Sequence, residues 1–543
     1  MNPRARRALF AVTLFFAVCA VVGSVMQRKV GAESSADESQ LRDSLKTFDD
    51  VYALVAQNYA EPIEGDKADT VIYDGAIPGM LRELDPHSSF YDPKAYARMR
   101  EEQHGHYYGV GMTIQQQSGK VYVVFPFEGS PAFKAGIHPG DVIDSVDGKT
   151  VSVDGKVPDG LTSTDMVAKA LKGPQGTHVQ AVMIREGQGR PLTFDLMRDE
   201  IPHPSVDLAY EIRPGVGYIH LTQFQETTAQ EFAEAVDGFG NLKGLGFDLR
   251  GNPGGLLNQA VEVCNHLLSK GQIIVSQRGR GKDDVVYTAT RGNGGKSFPI
   301  VVLVNRGTAS AAEIVSGALQ DHDRALIVGE TTFGKGLVQT VYNLPDNTGL
   351  ALTTYHYYTP SGRLIQRNYT GVSLYDYYNN GGTAPADNAS REVKLTDAGR
   401  TVYGGGGITP DEKIEAPKSN HIQETLLEKN VFFLFAPVYL ANRTVDRSFQ
   451  VDSAVLGEFK RYLTSQQIPF TEADLDGVMD WLKASIKDKI FTIQFGETEG
   501  LRTRADWDPE IQKALTFLPE AQALEDNAHK VMTEKAEARK ETP

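Results

Sequence analysis

Cysteine is almost missing from this 543-residue chain, which carries only Cys19 and Cys264. Two thiols cannot build a disulfide framework or a cysteine-rich zinc site, and Cys264, in an amphipathic stretch, reads as a buried thiol. Basic charge is also in deficit: 55 Lys and Arg stand against 70 Asp and Glu, for a formal charge of −15. With no concentrated basic surface to meet phosphates, a nucleic-acid partner is not expected. No internal repeat is evident. What the chain does have is apolar content, 41% of its residues, enough core for about three or four domains, and this excludes a disordered polymer.

One uncharged run, Ala8 to Met26, follows Arg4, Arg6 and Arg7. At 19 residues it is long enough to cross a bilayer as a helix. Val30-Gly31-Ala32 offers a small-residue cleavage site, but Gln27-Arg28-Lys29 separates it from the run. Residues 1–32 are therefore an export signal or a membrane anchor, with length favouring the uncleaved anchor. Arg28 and Lys29 leave only a weak charge bias across the run.

Beyond a polar linker, Leu41, Leu45, Phe48, Val51, Val55 and Tyr59 fall on one helical face. A second helical run, Val71 to Leu84, should stop at Asp85-Pro86, which gives an N-terminal helical region over 40–100. From 101 to 200 short apolar strands alternate with glycine turns around one helix at Thr164–Leu171, a compact β-rich module. From 205 to 411 strands and helices alternate, as in a mainly parallel sheet covered by helices; Thr228-Ala229-Gln230-Glu231 reads as a capping box opening one of them. Residues 412–543 are a helical extension of unassigned function, and whether it folds by itself is left open.

Three turns beside that sheet carry the chemistry. Asp248 to Gly255 (DLRGNPGG) ends a strand and opens a helix, so its paired glycines let backbone N–H groups approach a ligand or an oxyanion; paired glycines also make ordinary turns. Asn305 to Glu313 (NRGTASAAE) puts Ser310 at a helix start, where a serine is commonly just an N-cap. Thr332 to Gln339 (TFGKGLVQ) sets Lys335 between glycines, with Gln339 four positions on along one strand face. Lys335 could be a desolvated base held by an amide or a solvated loop lysine.

Taken in order, DLRGNPGG, NRGTASAAEIVSGALQD and GETTFGKGLVQ resemble the carboxyl-terminal processing proteases, serine peptidases that use a serine–lysine pair. Within the module, YYGVGM is similar to the carboxylate-binding loop of a PDZ domain and EGSPAFKAGIHPGDVIDSVDG to its body; LDPHSSFY and GGGGITPD are further landmarks of the family. The resemblance spans about Leu41 to Asp411. It implies a multidomain fold: a crotonase-like α/β catalytic core with an inserted PDZ domain, flanked by the helical N-terminal segment and the helical C-terminal extension.

It also implies Ser310 as nucleophile, Lys335 as general base and Gln339 as the residue orienting that base. The N–H groups of Ala311, Gly254 and Gly255 would form the oxyanion hole, and Gly109, Val110, Gly111 and Met112 the peptide-carboxylate loop. No cofactor or metal is implied. Partners would be proteins or peptides with accessible apolar C-termini, plus the membrane through the N-terminal segment; homo-oligomerisation is left open. The location would be the periplasmic side of a bacterial envelope.

Lysine can act as a base only when neutral, so its pKa must fall from about 10.4; burial near Phe333 and Val338, away from carboxylates, would do this. Glu313 would face the same side of the helix as Ser310, supporting but not catalytic. Asp321 corresponds to an aspartate sometimes assigned to a triad, but eleven residues along a helix set it and His322 roughly 16 Å from Ser310, which makes Asp321 structural. His220 stands where relatives commonly carry arginine, placing an inherited regulatory contact in doubt. The alternatives are a PDZ-based peptide-binding protein without catalysis and a crotonase-like acyl-CoA enzyme.

Overall fold

The computed structural model describes residues 39–541 apart from 118, 153–159, 380–390 and 442. The apolar run at 8–26 lies outside the described residues, and among those described no helix is long and apolar enough to cross a membrane. The chain divides into two compact units at Glu83/Leu84. In the first, a helix over 39–58 leaves Leu41, Leu45, Phe48, Val51, Val55 and Tyr59 all exposed. Further helices occupy Asp66–Thr70 and Ile77–Arg82, joined by a π-helical turn at Val71–Ala76.

The larger unit is organised around a six-stranded sheet. Its order is Val206–Arg213, Val216–Leu221, Gly244–Asp248, Ile300–Val304, Leu326–Gly329 and Glu412–Lys413. The first pair is an antiparallel hairpin and every other pairing is parallel. Ile300–Val304 is buried throughout, the unbroken apolar run expected of a parallel strand covered on both faces. Alternation sorts its side chains. Ile300, Val302 and Val304 join the core made with helices Thr228–Gly238, Leu257–Leu267 and Ala311–Asp321, whereas Val301 and Leu303 face the other way.

That opposite face is covered by the end of the chain. Ala505, Ile511, Ala514, Leu515 and Ala521 share one core with Tyr218, Val301, Leu303, Leu326 and Val328. A Cβ added to Gly246 would lie 3.0 Å from Leu515 Cδ2, so the glycine admits the leucine against the sheet. The end of the extension, from 505 to 521, is thus a layer of this core. Its earlier helices, from His421–Glu428 to Met479–Phe495, build a second core around Phe432, Phe435 and Phe459. The capping box expected at Thr228 does not form: Glu231 instead accepts from Ser205 N–H and Oγ and from Val206 N–H, pinning the incoming strand.

Two further sheets flank this arrangement. An antiparallel one joins Ser89–Tyr91, Gly349–Tyr358, Ile273–Arg278 and Val285–Thr288, with Leu337–Asn343 pairing Gly349–Tyr358 as a hairpin. The other is the β-rich module, strands Met112–Gln117, Lys120–Pro126, Val142–Val146, His178–Ile184 and Leu192–Met197, with the helix Thr164–Leu171 over a core that includes Val121, Val123, Val167 and Met183. A ribbon of His106–Gly109 with Asp199–Pro202 ties its entry to its exit.

Candidate active site

Ser310 sits between the strand Ile300–Val304 and the helix Ala311–Asp321, with φ 54° and ψ −115°. An ordinary N-cap has extended φ/ψ; this residue is held in a conformation that costs a non-glycine residue about 1–3 kcal/mol and persists only when its surroundings enforce it. The enforcement is visible. Ser310 N–H donates to Glu313 Oε2 at 2.9 Å, and Tyr357 Oη lies 3.0 Å from the Ser310 carbonyl oxygen. Gly254, at φ +100°, packs so closely that a Cβ there would meet Ser310 Cβ at 2.7 Å and Ala311 N at 2.9 Å.

Glu313 is the hub. Fully buried, it accepts from the N–H groups of Gly334 (2.7 Å) and Lys335 (2.9 Å) and from the Thr332 hydroxyl, besides Ser310. Ser310 and Lys335 are therefore bound through their backbones to the same carboxylate oxygen, Oε2. Burial pushes the Glu313 carboxyl up to about 7 while the hydrogen bonds pull it down; because all four partners are donors, the ionised form fits this set. Tyr357 Oη also reaches the Lys335 carbonyl, closing the bridge from the other side.

The Lys335 ammonium has no hydrogen-bond or ion-pair partner among the described residues. Burial lowers its pKa below the ordinary lysine value, opposed by the charges of Glu313 and Asp85. The expectation of a site away from carboxylates is thus corrected: two are near, and desolvation still prevails. His87 is there too. Burial, together with the Lys335 charge, lowers its imidazole to about 3, and its Nε2 lies 2.8 Å from Tyr377 Oη.

Gln339 does not meet Lys335. Its Nε2 donates to Thr353 Oγ1 at 3.2 Å, and the reason is local: the strand begins only at Leu337, and its pairing shifts register between Val338 and Gln339, so the same-face spacing assumed from the sequence fails. Thr353 N–H in turn donates to Ser88 Oγ, which donates to Asp85 Oδ2. Gln339 thus belongs to a polar chain ending at Asp85, one of the two carboxylates that act on Lys335.

Of the three expected oxyanion donors, Gly254 has its N–H engaged, donating to Asn252 Oδ1 at 2.8 Å. The N–H groups of Ala311 and Gly255 have no acceptor among the described residues. In the module, Gly109 ends a strand, Met112 begins the next, and the Val110 and Met112 side chains enter the core. Asp321 pairs at 2.7 Å with the buried Arg363, and His322 is held by Asp397 and the Ile273 carbonyl, so neither enters the site. His220 pairs with Asp207 at 2.7 Å, and Cys264 is a buried free thiol whose pKa burial raises. Sequence reasoning missed Tyr357, Thr332, Asp85 and His87; LDPHSSFY had marked the last two as a landmark without a role.

Comparison with known proteins gives the family. Residues 215–373 match peptidase family S41, 109–196 the PDZ domain, and 9–95 the activating protease CtpB N-terminal domain. The carboxy-terminal-processing protease of Bartonella bacilliformis is 38% identical over 368 residues, covering 66% of this chain and 80% of the relative. The carboxy-terminal processing protease CtpA of Bacillus subtilis is 34% identical over 404 residues, covering 72% and 82%. A solved photosystem II D1 C-terminal processing protease is 27% identical, covers 68% of this chain and 92% of its own, and superposes with a TM-score of 0.33. The chain is a member of the carboxy-terminal processing proteases of peptidase family S41.

Proposed function

We propose that the protein is a serine endopeptidase of the cell envelope that captures the free C-terminus of a protein in its PDZ domain and cleaves nearby through an acyl-enzyme. The observation that carries this reading is the suspension of Ser310 and Lys335 from one oxygen of buried Glu313. Neutral Lys335 takes the hydroxyl proton of Ser310 as its oxygen attacks the scissile carbonyl. The N–H groups of Ala311 and Gly255 receive the developing oxyanion, and the lysine ammonium then protonates the leaving amine. Water repeats the sequence to release the acyl group. Gln339 acts on the base at one remove, by fixing Thr353 and the chain to Asp85.

The sheet with its helices is consistent with a crotonase-like core, and the apolar run at 8–26 supports a periplasmic enzyme anchored in the inner membrane. A peptide-binding protein without catalysis is disfavoured, because a strained serine and a desolvated lysine are a cost that binding alone does not require. The test is mass spectrometry of a protein ending in an apolar tail, incubated with the wild type and with Ser310→Ala. Defined cuts by the wild type alone are expected; equal cutting by both would remove Ser310 from the mechanism, and no cutting by either would favour the binding protein.

A further inference from the structure

Glu313 and Tyr357 hold the backbone of Lys335 itself; the glycines on either side of it are held by a different segment. Arg367 N–H donates to the Gly334 carbonyl at 3.0 Å, and Gly336 N–H donates to Gln366 Oε1 at 2.8 Å. Gln366 and Arg367 then converge on Tyr377. Gln366 Nε2 lies 3.2 Å from Tyr377 Oη, and Arg367 Nη2 donates to the Tyr377 carbonyl. The Arg367 guanidinium lies 3.8 and 4.2 Å from the centres of the Phe333 and Tyr377 rings. Tyr377, 1% exposed, is the one buried residue of the short helix Leu374–Asn379, so that helix is anchored at the turn carrying the base.

The ends of this network set the direction of every hydrogen in it. Gln366 Oε1 meets an N–H and Gln366 Nε2 meets a carbonyl, that of Arg367 at 2.8 Å, so the amide cannot be turned round and it donates to Tyr377 Oη. The phenol's own hydrogen then has one acceptor within reach, His87 Nε2 at 2.8 Å, and a buried hydroxyl left without an acceptor is costly. His87 therefore accepts at Nε2 and carries its proton at Nδ1, the nitrogen with no partner among the described residues. The other phenol against the ring, Tyr378, is spent on the Pro86 carbonyl at 2.7 Å. The charges that face His87 are those of Asp85, which favours a second proton, and of Lys335 and Arg367, which oppose it.

We propose that Tyr377 is a positioning residue of the serine–lysine reaction, which fixes the turn carrying Lys335 through Gln366 and Arg367 and holds His87 beside the base as the neutral Nδ1–H tautomer. This deepens the serine–lysine reading and rests on it. Lys335 has to take up the serine proton, and a second cation at His87 would oppose that step. A ring whose Nε2 is already committed to a phenol stays uncharged while the base gains and loses its proton. The same hydroxyl that sets the tautomer also seats the amide that holds Gly336, so one side chain governs both the place of the base and the charge next to it.

The test has a spectroscopic arm and a kinetic one, both on the full chain. With nitrogen-15-labelled histidine, two-bond proton–nitrogen correlation reads the tautomer, the His87 signals being assigned by their loss in His87→Gln. Near neutral pH the parent should show a protonated Nδ1 and a hydrogen-bonded, unprotonated Nε2. Gln366→Glu keeps the shape of the side chain but offers Tyr377 an acceptor, so the phenol should turn and the His87 tautomer invert. Tyr377→Phe should abolish the preference for Nδ1–H and, on a quenched fluorescent peptide with an apolar free-acid tail, lower kcat at least about tenfold with KM within about twofold of the parent. No cleavage by the parent would overturn the serine–lysine reading and the role given to Tyr377 with it. An Nε2–H tautomer in the parent, no inversion in Gln366→Glu, or an undiminished kcat in Tyr377→Phe would overturn the role of Tyr377 alone.

Discussion

Ending the chain at Ala416 should abolish the folded enzyme, although every residue assigned to catalysis would remain. The cut bares the sheet face formed by Leu208, Tyr218, Val301, Leu303, Leu326 and Val328, each at most 8% exposed in the intact chain. At about 1.5–3 kcal/mol per buried apolar side chain, six of them amount to about 9–18 kcal/mol. Reducing this by ~10–40% for a compact unfolded chain still leaves a loss comparable to the whole stability of a typical domain, about 5–15 kcal/mol. Arg250 would also lose Asp508 (3.0 Å) and Glu510 (3.1 Å), loosening the turn that leads to Gly254. Soluble yield and thermal unfolding followed by circular dichroism are the assays, with no cooperative transition expected. A graded version is Leu515→Ala, expected to cost about 2–5 kcal/mol. A truncated protein that melts within a few degrees of the intact one and still cleaves substrate would refute the reasoning.

Glu313→Gln should turn an NH2 group towards two of the four donors, at about 1–3 kcal/mol for each donor left unsatisfied; kcat/KM should drop at least about 100-fold, and residual activity should shift to lower pH because Lys335 loses a carboxylate that raises its pKa. Gly254→Ala places a methyl 2.7 Å from Ser310 Cβ at φ +100°; kinetics together with a melting curve should show a folded protein with activity largely lost. Asp321→Asn leaves the buried Arg363 without its charge partner, so thermal denaturation should report a loss of about 3–5 kcal/mol, with activity per folded molecule retained.

The alternation of strand and helix from 205 to 411 was legible because parallel strands must be apolar throughout and their helices amphipathic, as Ile300–Val304 and Leu257–Leu267 are. Ser310 and Lys335 were legible only as parts of three ordered motifs; alone, each had an ordinary local explanation. Two kinds of fact could not be read. One was register: the shift at Val338/Gln339 that sends Gln339 to Thr353 depends on the partner strand and leaves no period in the sequence. The other was long-range pairing, since Tyr357 and Asp85 reach the site from distant segments, and nothing local to 501–521 says that its leucines and alanines close a sheet begun at residue 206. Glu313 lay between the two, with the right spacing but no sign that its carboxylate would accept from both catalytic segments.

Catalysis by a serine–lysine pair depends most directly on the protonation state of Lys335, and the pH dependence of kcat/KM in wild type, Lys335→Arg and Lys335→Ala measures it. Burial lowers the lysine pKa, so wild-type activity should rise with pH through an apparent pKa below that of a free lysine, as a base that must be neutral requires. Lys335→Arg should be as inactive as Lys335→Ala, because a guanidinium stays protonated. An active Lys335→Arg enzyme would contradict this and place the base elsewhere, though not at His322, whose two ring nitrogens are already engaged.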